Sequence, residues 1–572
     1  MAQPPAGLAL DGGDPRLSSG PTAKMIHDPN VTFEEYVYYA KIERAREKQH
    51  PDVLDLVTSL KSVLGKKKVV VDIDAPSSVQ ATQATKDEKG IPRDQPPAVA
   101  EEEWYQASRA LRTATWGAVF YLITTDVLGP YSVPWALSQM GYGPGVTLYT
   151  IFGLLAGYTG WQIWQMFLRL DSSIYPLKSF GDIAFRVYGS WARHSVNILQ
   201  SLQLIFNVGV IVIQNGQGLY QINSNICYVA CCIIWVCSGM MLGQIRTLQK
   251  FGWVANLAIW INIVVMILTM VIVSHSPPNY TASEASNGRG RDFGPISTYA
   301  SAPPYSEGFQ TGISGLMQAV YSYGGALIFC EFMSEMRKPG DFWKALLIAD
   351  SFIYVTYLFF GLYVYSFHGE FVVNPAFQGI SPQSALKAGN TLGLISALIA
   401  GALYGNIGVK VIYTNILREF FNAPPLDEKL GKFLWVGLVP LYWAVAFVLA
   451  AAIPNFPYLL GLVAAVCILQ FTYTIPPLMM LGCDIQYHSI REAQGEGFDP
   501  ATGQTKRLDD GWKRWLRGAK TYWYVNVWNL LFFFGALVTA ALGMYSSIQG
   551  LKMAFATGRS TSFSCKGPLG SG

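Results

Sequence analysis

The chain is 572 residues long, 51% apolar, 14% aromatic and only 14% charged, whereas an ordinary soluble domain is about 25% charged. That balance excludes a soluble globular protein, and a net charge of +4 carries no suggestion of a nucleic-acid partner. The 16 Trp and 31 Tyr suit the aromatic belts at the two faces of a bilayer.

Residues 1–113 read as a cytoplasmic tail whose Pro, Ser, Gln and charge content predicts disorder over most of its length. Residues 1–20 are Pro- and Gly-rich without an apolar core, so no signal peptide is expected and the first membrane span would serve as the signal. Two stretches depart from disorder. Thr32-Phe33-Glu34-Glu35 is a capping box that opens a helix running to Lys48, with Pro51 as its stop. Val53, Leu56, Val57, Leu60 and Leu64 then recur at helical spacing and run into Lys66-Lys67-Lys68, as in an amphipathic helix on the inner leaflet or a latch on an inner gate.

Residues 114–545 form the membrane domain. Apolar runs predict eleven spans, at 116–140, 145–168, 195–217, 226–243, 253–274, 313–335, 344–365, 390–416, 433–453, 458–480 and 524–545. The fold class is therefore an all-α membrane protein of eleven transmembrane helices. With the N-terminus in the cytoplasm, Lys and Arg concentrate in the loops on that side, as the positive-inside asymmetry requires. The odd count then puts the tail at 546–572 outside. The polar loop 275–311 carries Asn279-Tyr280-Thr281 on the outer side, which makes Asn279 a candidate glycosylation site.

Cys227, Cys231, Cys232, Cys237, Cys330, Cys467 and Cys483 fall within or at the ends of spans and read as small apolar fillers. Neither a disulfide framework nor a metal site is inferred, and Cys565 faces the oxidising side without an intramolecular partner. Small-xxx-small pairs at Gly153/Gly157 and Gly401/Gly405 read as packing. The ending Gly567-Pro568-Leu569-Gly570-Ser571 resembles a cloning remnant and carries no weight.

Span one is interrupted. Thr124-Thr125-Asp126-Val127-Leu128-Gly129-Pro130-Tyr131-Ser132-Val133-Pro134 puts a carboxylate, a glycine and two prolines where a membrane helix should be continuous. At ~1.5 Å per residue from Trp116, Asp126 lies ~15 Å deep in a ~30 Å hydrocarbon core. Span six is interrupted in the same relative place, at Tyr323-Gly324-Gly325. Freed backbone groups are tolerated at that depth only where protein or an aqueous cavity satisfies them. Paired breaks in the first span of each half point to a binding site in an inverted repeat of spans 1–5 and 6–10, with one extra helix.

The breaks make Asp126, Leu128, Gly129, Tyr131 and Ser132, with Tyr323, Gly324 and Gly325, a candidate substrate site. Half-helix N-termini after Gly129 and Gly325 present N–H groups and a positive dipole end to a carboxylate, while carbonyls at the opposite ends attract an ammonium. That polarity suits an amino acid. Asp126 is costly at the bilayer centre unless paired, hydrated or protonated, so it is a candidate for a coupling proton or for the substrate's amino group, with a purely structural carboxylate as the plainer reading. Glu331 is the second coupling candidate, or a structural pair with a base. Lys410 either snorkels to the inner surface or pairs with Glu331 or Asp126.

Leu128-Gly129-Pro130-Tyr131-Ser132-Val133-Pro134-Trp135-Ala136 resembles the G-[IV]-L-S-L-P-x-A signature of the amino acid/auxin permease family. Tyr321-Ser322-Tyr323-Gly324-Gly325 through Glu335-Met336-Arg337-Lys338-Pro339-Gly340-Asp341-Phe342 resembles its sixth-span motif and E-M-x-x-P-x-D-F loop. Tyr175-Pro176 adds to a likeness that covers residues 114–480 and is nearest to fungal neutral amino acid permeases. The resemblance implies an eleven-span member of the amino acid-polyamine-organocation superfamily, with substrate held between spans one and six. Two departures alter the donors or narrow the site: Pro130 replaces an aliphatic residue and Val127 stands where many members have a glycine.

The expected function is secondary active transport of amino acids, neutral ones by this likeness, through proton-coupled symport by alternating access. The expected partners are an amino acid, a proton in preference to sodium, and the bilayer, with no cofactor and with the plasma membrane preferred to the vacuolar one. An amino acid sensor on the same fold and a vacuolar exporter are the alternatives. An intramembrane enzyme is disfavoured, because His27, His50, His194, His275, His368 and His488 lie in tails, loops or at span edges.

Overall fold

The computed structural model describes residues 27–49, 112, 114–127, 129–245, 251–304, 308–421, 423–424, 426, 428–453, 456–556 and 563–569. The amphipathic stretch at 53–64 and the lysines after it lie outside the described residues. The capping box does open a helix, α1 (Phe33–Gln49): the Glu35 N–H donates to Thr32 Oγ1 at 3.4 Å, and the Glu35 carboxylate accepts from the Tyr175 hydroxyl at 2.6 Å.

The first membrane span is split into α2 (Trp116–Val127) and α3 (Val133–Met140), followed by α4 (Tyr142–Leu170) and a short helix α5 (Phe180–Tyr188). Then come α6 (Ser190–Ile222), α7 (Tyr228–Leu242), α8 (Phe251–His275) and the loop helix α9 (Tyr280–Asn287). The second split span is α10 (Phe309–Ser322) with α11 (Phe329–Glu335), and α12 (Phe342–His368), α13 (Gln383–Ile412) and α14 (Lys429–Ala451) follow. α15 (Phe456–Val463) passes through two π-helical turns into α16 (Ile475–Ser489). A hairpin of β1 (Gly497–Asp499) and β2 (Gln504–Lys506), with Phe498 opposite Thr505, precedes α17 (Trp512–Thr521) and α18 (Trp523–Ala556).

Among the described residues, eight helices are long and apolar enough to cross a membrane, and the chain is an integral multi-pass membrane protein. The remaining predicted spans fall short for physical reasons. The first is in two pieces, α7 has only 15 residues, and the Gly, Tyr, Thr and Trp of α4 lower its hydropathy. The α10–α11 span lies at the centre, with 83% of its apolar window buried, and α18 at the edge, with 22%. The glycine pairs make room for rings. A Cβ on Gly405 would come within 2.8 Å of the buried Trp443 ring, and one on Gly153 within 3.1 Å of Tyr323.

Charge fixes α1 across one face of the helix bundle. Arg44 and Arg112 both pair with Asp171, at 3.2 and 3.1 Å. His27 meets Asp182 at 2.7 Å, Glu34 meets Arg507 and Arg514, and Lys41 pairs with Glu492. Burial alone would raise the Asp171 carboxyl, but Arg112, Arg44 and the Leu177 N–H hold it below the usual carboxylate range. Asp171→Asn is therefore expected to lower stability by about 2–3 kcal/mol, because the buried carboxylate between two partly buried arginines is lost while Arg44 keeps Glu47 at 3.0 Å; thermal unfolding in detergent reads this. A depressed carboxylate stabilises above its unfolded pKa of ~4 and is lost as pH falls through the lower folded value, so this contribution should be flat from pH 5 to 8 and fade only below ~4.

On the opposite face the expectation of unpaired cysteines is wrong. Cys227, the N-cap of α7, is disulfide-bonded to Cys565, 338 residues away. The chain beyond α18 returns across that face, where the Tyr228 N–H donates to the Cys565 carbonyl at 3.2 Å. The Gly567-Pro568-Leu569 ending is structural too, because Leu569 is buried against Ala282 and Val373.

Candidate functional site

Both helix breaks follow from local backbone chemistry. Gly129 takes φ −143° and ψ 66°, and Pro130 has no N–H, so the α2 ladder cannot continue; a 3₁₀ turn, Pro130–Ser132, leads into α3. α10 stops at Ser322, and the 3₁₀ turn Gly324–Ile328 leads into α11. Below them the chain entering α2 pairs with the chain leaving α11: the Ala114 N–H donates to the Glu335 carbonyl at 3.0 Å, and the Arg337 N–H to the Ala114 carbonyl at 2.9 Å.

One phenol ties the breaks together. The Gly129 N–H donates to Tyr357 Oη at 3.2 Å, and that hydroxyl donates to the Ser322 carbonyl at 3.0 Å. The Gly325 N–H donates to the Tyr323 carbonyl at 3.0 Å. The N–H groups of Gly129 and Gly325 themselves are thus engaged in this conformation, and a carboxylate at Gly129 has to compete with Tyr357. Tyr357→Phe keeps the ring and removes the bridge. Uptake is expected to fall about tenfold, the worth of roughly one hydrogen bond, with surface expression unchanged; an unaltered rate would show that the bridge is incidental.

The breaks border a cavity of about 210 Å³. Gly129, Tyr131, Ser132, Gly324, Gly325 and Tyr357 form one side, and Asn207, Gln214 and Asn215 of α6, Asn262 of α8 and Ser396 of α13 the other. No charged side chain lines it among the described residues. Tyr131 donates to the Asn262 carbonyl at 3.2 Å and sets its ring edge-on to Phe377, while Ser396 donates to Asn262 Oδ1 at 2.9 Å. A second cavity, of about 230 Å³, shares Gln214, Asn374, Pro375 and Phe456 with the first and is walled by Lys566, Gly567, Pro568 and Leu569. The disulfide-tethered C-terminal segment therefore walls a cavity that adjoins the central one.

The other predicted residues are placed as follows. Tyr323 packs behind the cavity, between the rings of Tyr149 and Tyr357. Leu128 lies outside the described residues; Asp126 falls in the last turn of α2, and its side chain is likewise outside them. Glu331, on α11, accepts from Gln200 Nε2 at 3.1 Å. Lys410 is buried near the end of α13, within electrostatic reach of Glu335. Asn279 is also buried: its Oδ1 caps α9 by accepting from the Ala282 N–H at 3.1 Å, so the folded loop hides the sequon. Sequence reasoning missed Tyr357, Asn207, Asn262 and Asp350. Asp350 lies on α12 facing Gly157 of α4, where a Cβ would come within 3.0 Å of its Oδ2. A lone acid in an apolar run is a readable signal; a tyrosine among other aromatic residues of α12 is not.

The chain has relatives of known name. It is 25% identical over 451 residues to the N amino acid transport system protein of Neurospora crassa, covering 78% of this chain and 87% of that one. It is 24% identical over 455 residues to a protein of Fusarium pseudograminearum called transmembrane transporter, covering 78% and 86%. Of solved structures, a nucleobase-cation-symport-1 family transporter in a closed conformation superposes with a TM-score of 0.40 at 12% identity, over 78% of this chain and 94% of that one. That superposition is loose and adds nothing to the assignment. The family model described as transmembrane amino acid transporter protein matches residues 112–485, a stretch that contains both broken helices and every residue lining the central cavity, and the chain belongs to that family.

Proposed function

We propose that this amino acid transporter is a secondary active symporter that moves neutral amino acids with protons by alternating access. The observation that carries the reading is the central cavity, bounded by two broken helices, whose polar lining is hydroxyls and carboxamides set among apolar side chains, without a Lys, Arg, Asp or Glu among the described residues. A zwitterion's two charges can be met by helix-end dipoles and freed carbonyls. A third charge on its side chain would find no counter-ion among the described residues that line it. Proton coupling draws on the membrane-depth acids Asp126 and Glu331.

Counting the split α2–α3 span, α4 and α7 with the eight long helices gives eleven spans. The matched breaks support a five-helix inverted repeat with one extra helix. The face bearing α1 is assigned to the cytoplasm, which makes residues 1–113 an inner tail and the segment after α18 an outer one. The Cys227–Cys565 bond then stands on the oxidising side, in keeping with the plasma membrane. A membrane-impermeant reductant on intact cells should free residues 563–569 and raise the rate of uptake, and Cys565→Ser should do the same without reductant. Unchanged uptake in both would show that the segment does not restrict the route.

Purified protein in proteoliposomes, given a panel of radiolabelled amino acids under imposed proton or sodium gradients, tests the function. Neutral amino acids should accumulate with an inward proton gradient and charged ones should compete poorly. Accumulation that follows sodium would replace the proton, and binding without accumulation would make the protein a sensor.

A further inference from the structure

The span α6 carries carboxamides at Gln200, Asn207, Gln214 and Gln221, every seventh residue, with Gln203 one turn from Gln200. Seven residues make nearly two helical turns, with a drift of only ~20° per repeat, so these side chains share one face. At ~1.5 Å per residue the stripe is ~30 Å long, the thickness of a hydrocarbon core. An apolar membrane helix gains nothing from uncharged amides unless they find partners.

The outer half of the stripe has them. Gln221 donates to the Gln378 carbonyl at 3.0 Å and accepts from Asn390 at 2.9 Å, and Gln214 lines both cavities. The inner half is shut. Gln203 and Gln200 are 1% and 0% exposed, and Gln200 Nε2 holds Glu331 at 3.1 Å. The carbonyl oxygens of Asn207, Gln203 and Gln200 are buried and accept no hydrogen bond among the described residues. An orphaned buried acceptor is costly to keep. Three of them in successive turns, starting in the cavity and ending at Glu331, call for a donor in some state of the protein.

We propose that Asn207, Gln203 and Gln200 form the inner leg of the substrate path, closed in the conformation described and opened toward the α1 face when the transporter turns over. This rests on the amino acid transport reading. In that leg the amide carbonyls receive the substrate's ammonium and the amide N–H groups its carboxylate. Carboxamides suit passage because they donate and accept without a fixed charge that would hold the substrate in place.

Gln203→Leu and Gln203→Asn, reconstituted in proteoliposomes with radiolabelled alanine, test the proposal. Gln203→Leu should bind alanine at the central cavity as the parent does yet move it about tenfold more slowly, the worth of one hydrogen bond lost in passage, and Gln203→Asn should recover most of the rate. Transport by Gln203→Leu at the parental rate would overturn the proposal, as would a Gln203→Asn variant no faster than Gln203→Leu, since the site would then be packing alone. Should Gln203→Leu fail to fold, Gln203→Cys carries the test through its labelling, above the parent's background, by a charged thiol reagent applied from the α1 face. Labelling should quicken when alanine drives turnover, and labelling indifferent to alanine would overturn the proposal. A parent that moves no neutral amino acid would bring down the transport reading and the inner leg together, whereas a working parent matched by Gln203→Leu overturns the inner leg alone.

Discussion

Gly325→Leu is expected to abolish uptake, to about one hundredth of the parental rate or less, a loss of at least ~2.7 kcal/mol, while the protein still reaches the membrane. Gly325 is buried in the 3₁₀ turn between α10 and α11 and lines the central cavity. A leucine there sends four carbons into a space of about 210 Å³ that must hold the whole substrate. At the adjacent Gly324 a Cβ would come within 2.6 Å of Ile468. Gly325→Ala, which adds one carbon, should lose less. Radiolabelled uptake normalised to surface-labelled protein reads the effect, and normal uptake by Gly325→Leu would place the substrate elsewhere.

Asp126→Asn is expected to lose accumulation against a gradient and to keep exchange of substrate across the membrane. The amide preserves the shape of the acid but cannot take up or release a proton, and exchange needs no net proton movement. Glu331→Gln is the matched variant, because Glu331, on α11, accepts from Gln200 Nε2 at 3.1 Å. Accumulation by Asp126→Asn together with failure of Glu331→Gln moves the coupling site to α11. Normal accumulation by both, with transport following sodium, contradicts proton coupling.

How much of this is legible in the sequence depends on the range of the interaction. α1 is readable because Thr32 Oγ1 caps the Glu35 N–H locally, and both broken spans are readable because Gly129-Pro130 and Gly324-Gly325 interrupt their own helices. The docking of α1 is not, since Arg44 and Asp171 are 127 residues apart and charge alone does not name a partner. The Cys227–Cys565 bond joins two residues that the spacing gives no reason to pair. Tyr357 reaches Gly129 across 228 residues, and its role exists only once α12 packs beside both breaks. The amide stripe on α6 lies between these cases. Its seven-residue spacing is visible in the chain, while its partners, Glu331 and Asn390, are set by the packing of α11 and α13.

A cryo-electron microscopy structure in lipid with saturating alanine decides whether a neutral amino acid is held between the two broken helices. Ligand density is expected in the central cavity, within ~3 Å of polar atoms of the Gly129 and Gly324-Gly325 turns, with the Tyr357 hydroxyl released from at least one of its two backbone partners. Density confined to the second cavity beneath the C-terminal segment, or an unchanged Tyr357 bridge with no ligand beside it at saturation, would contradict that expectation.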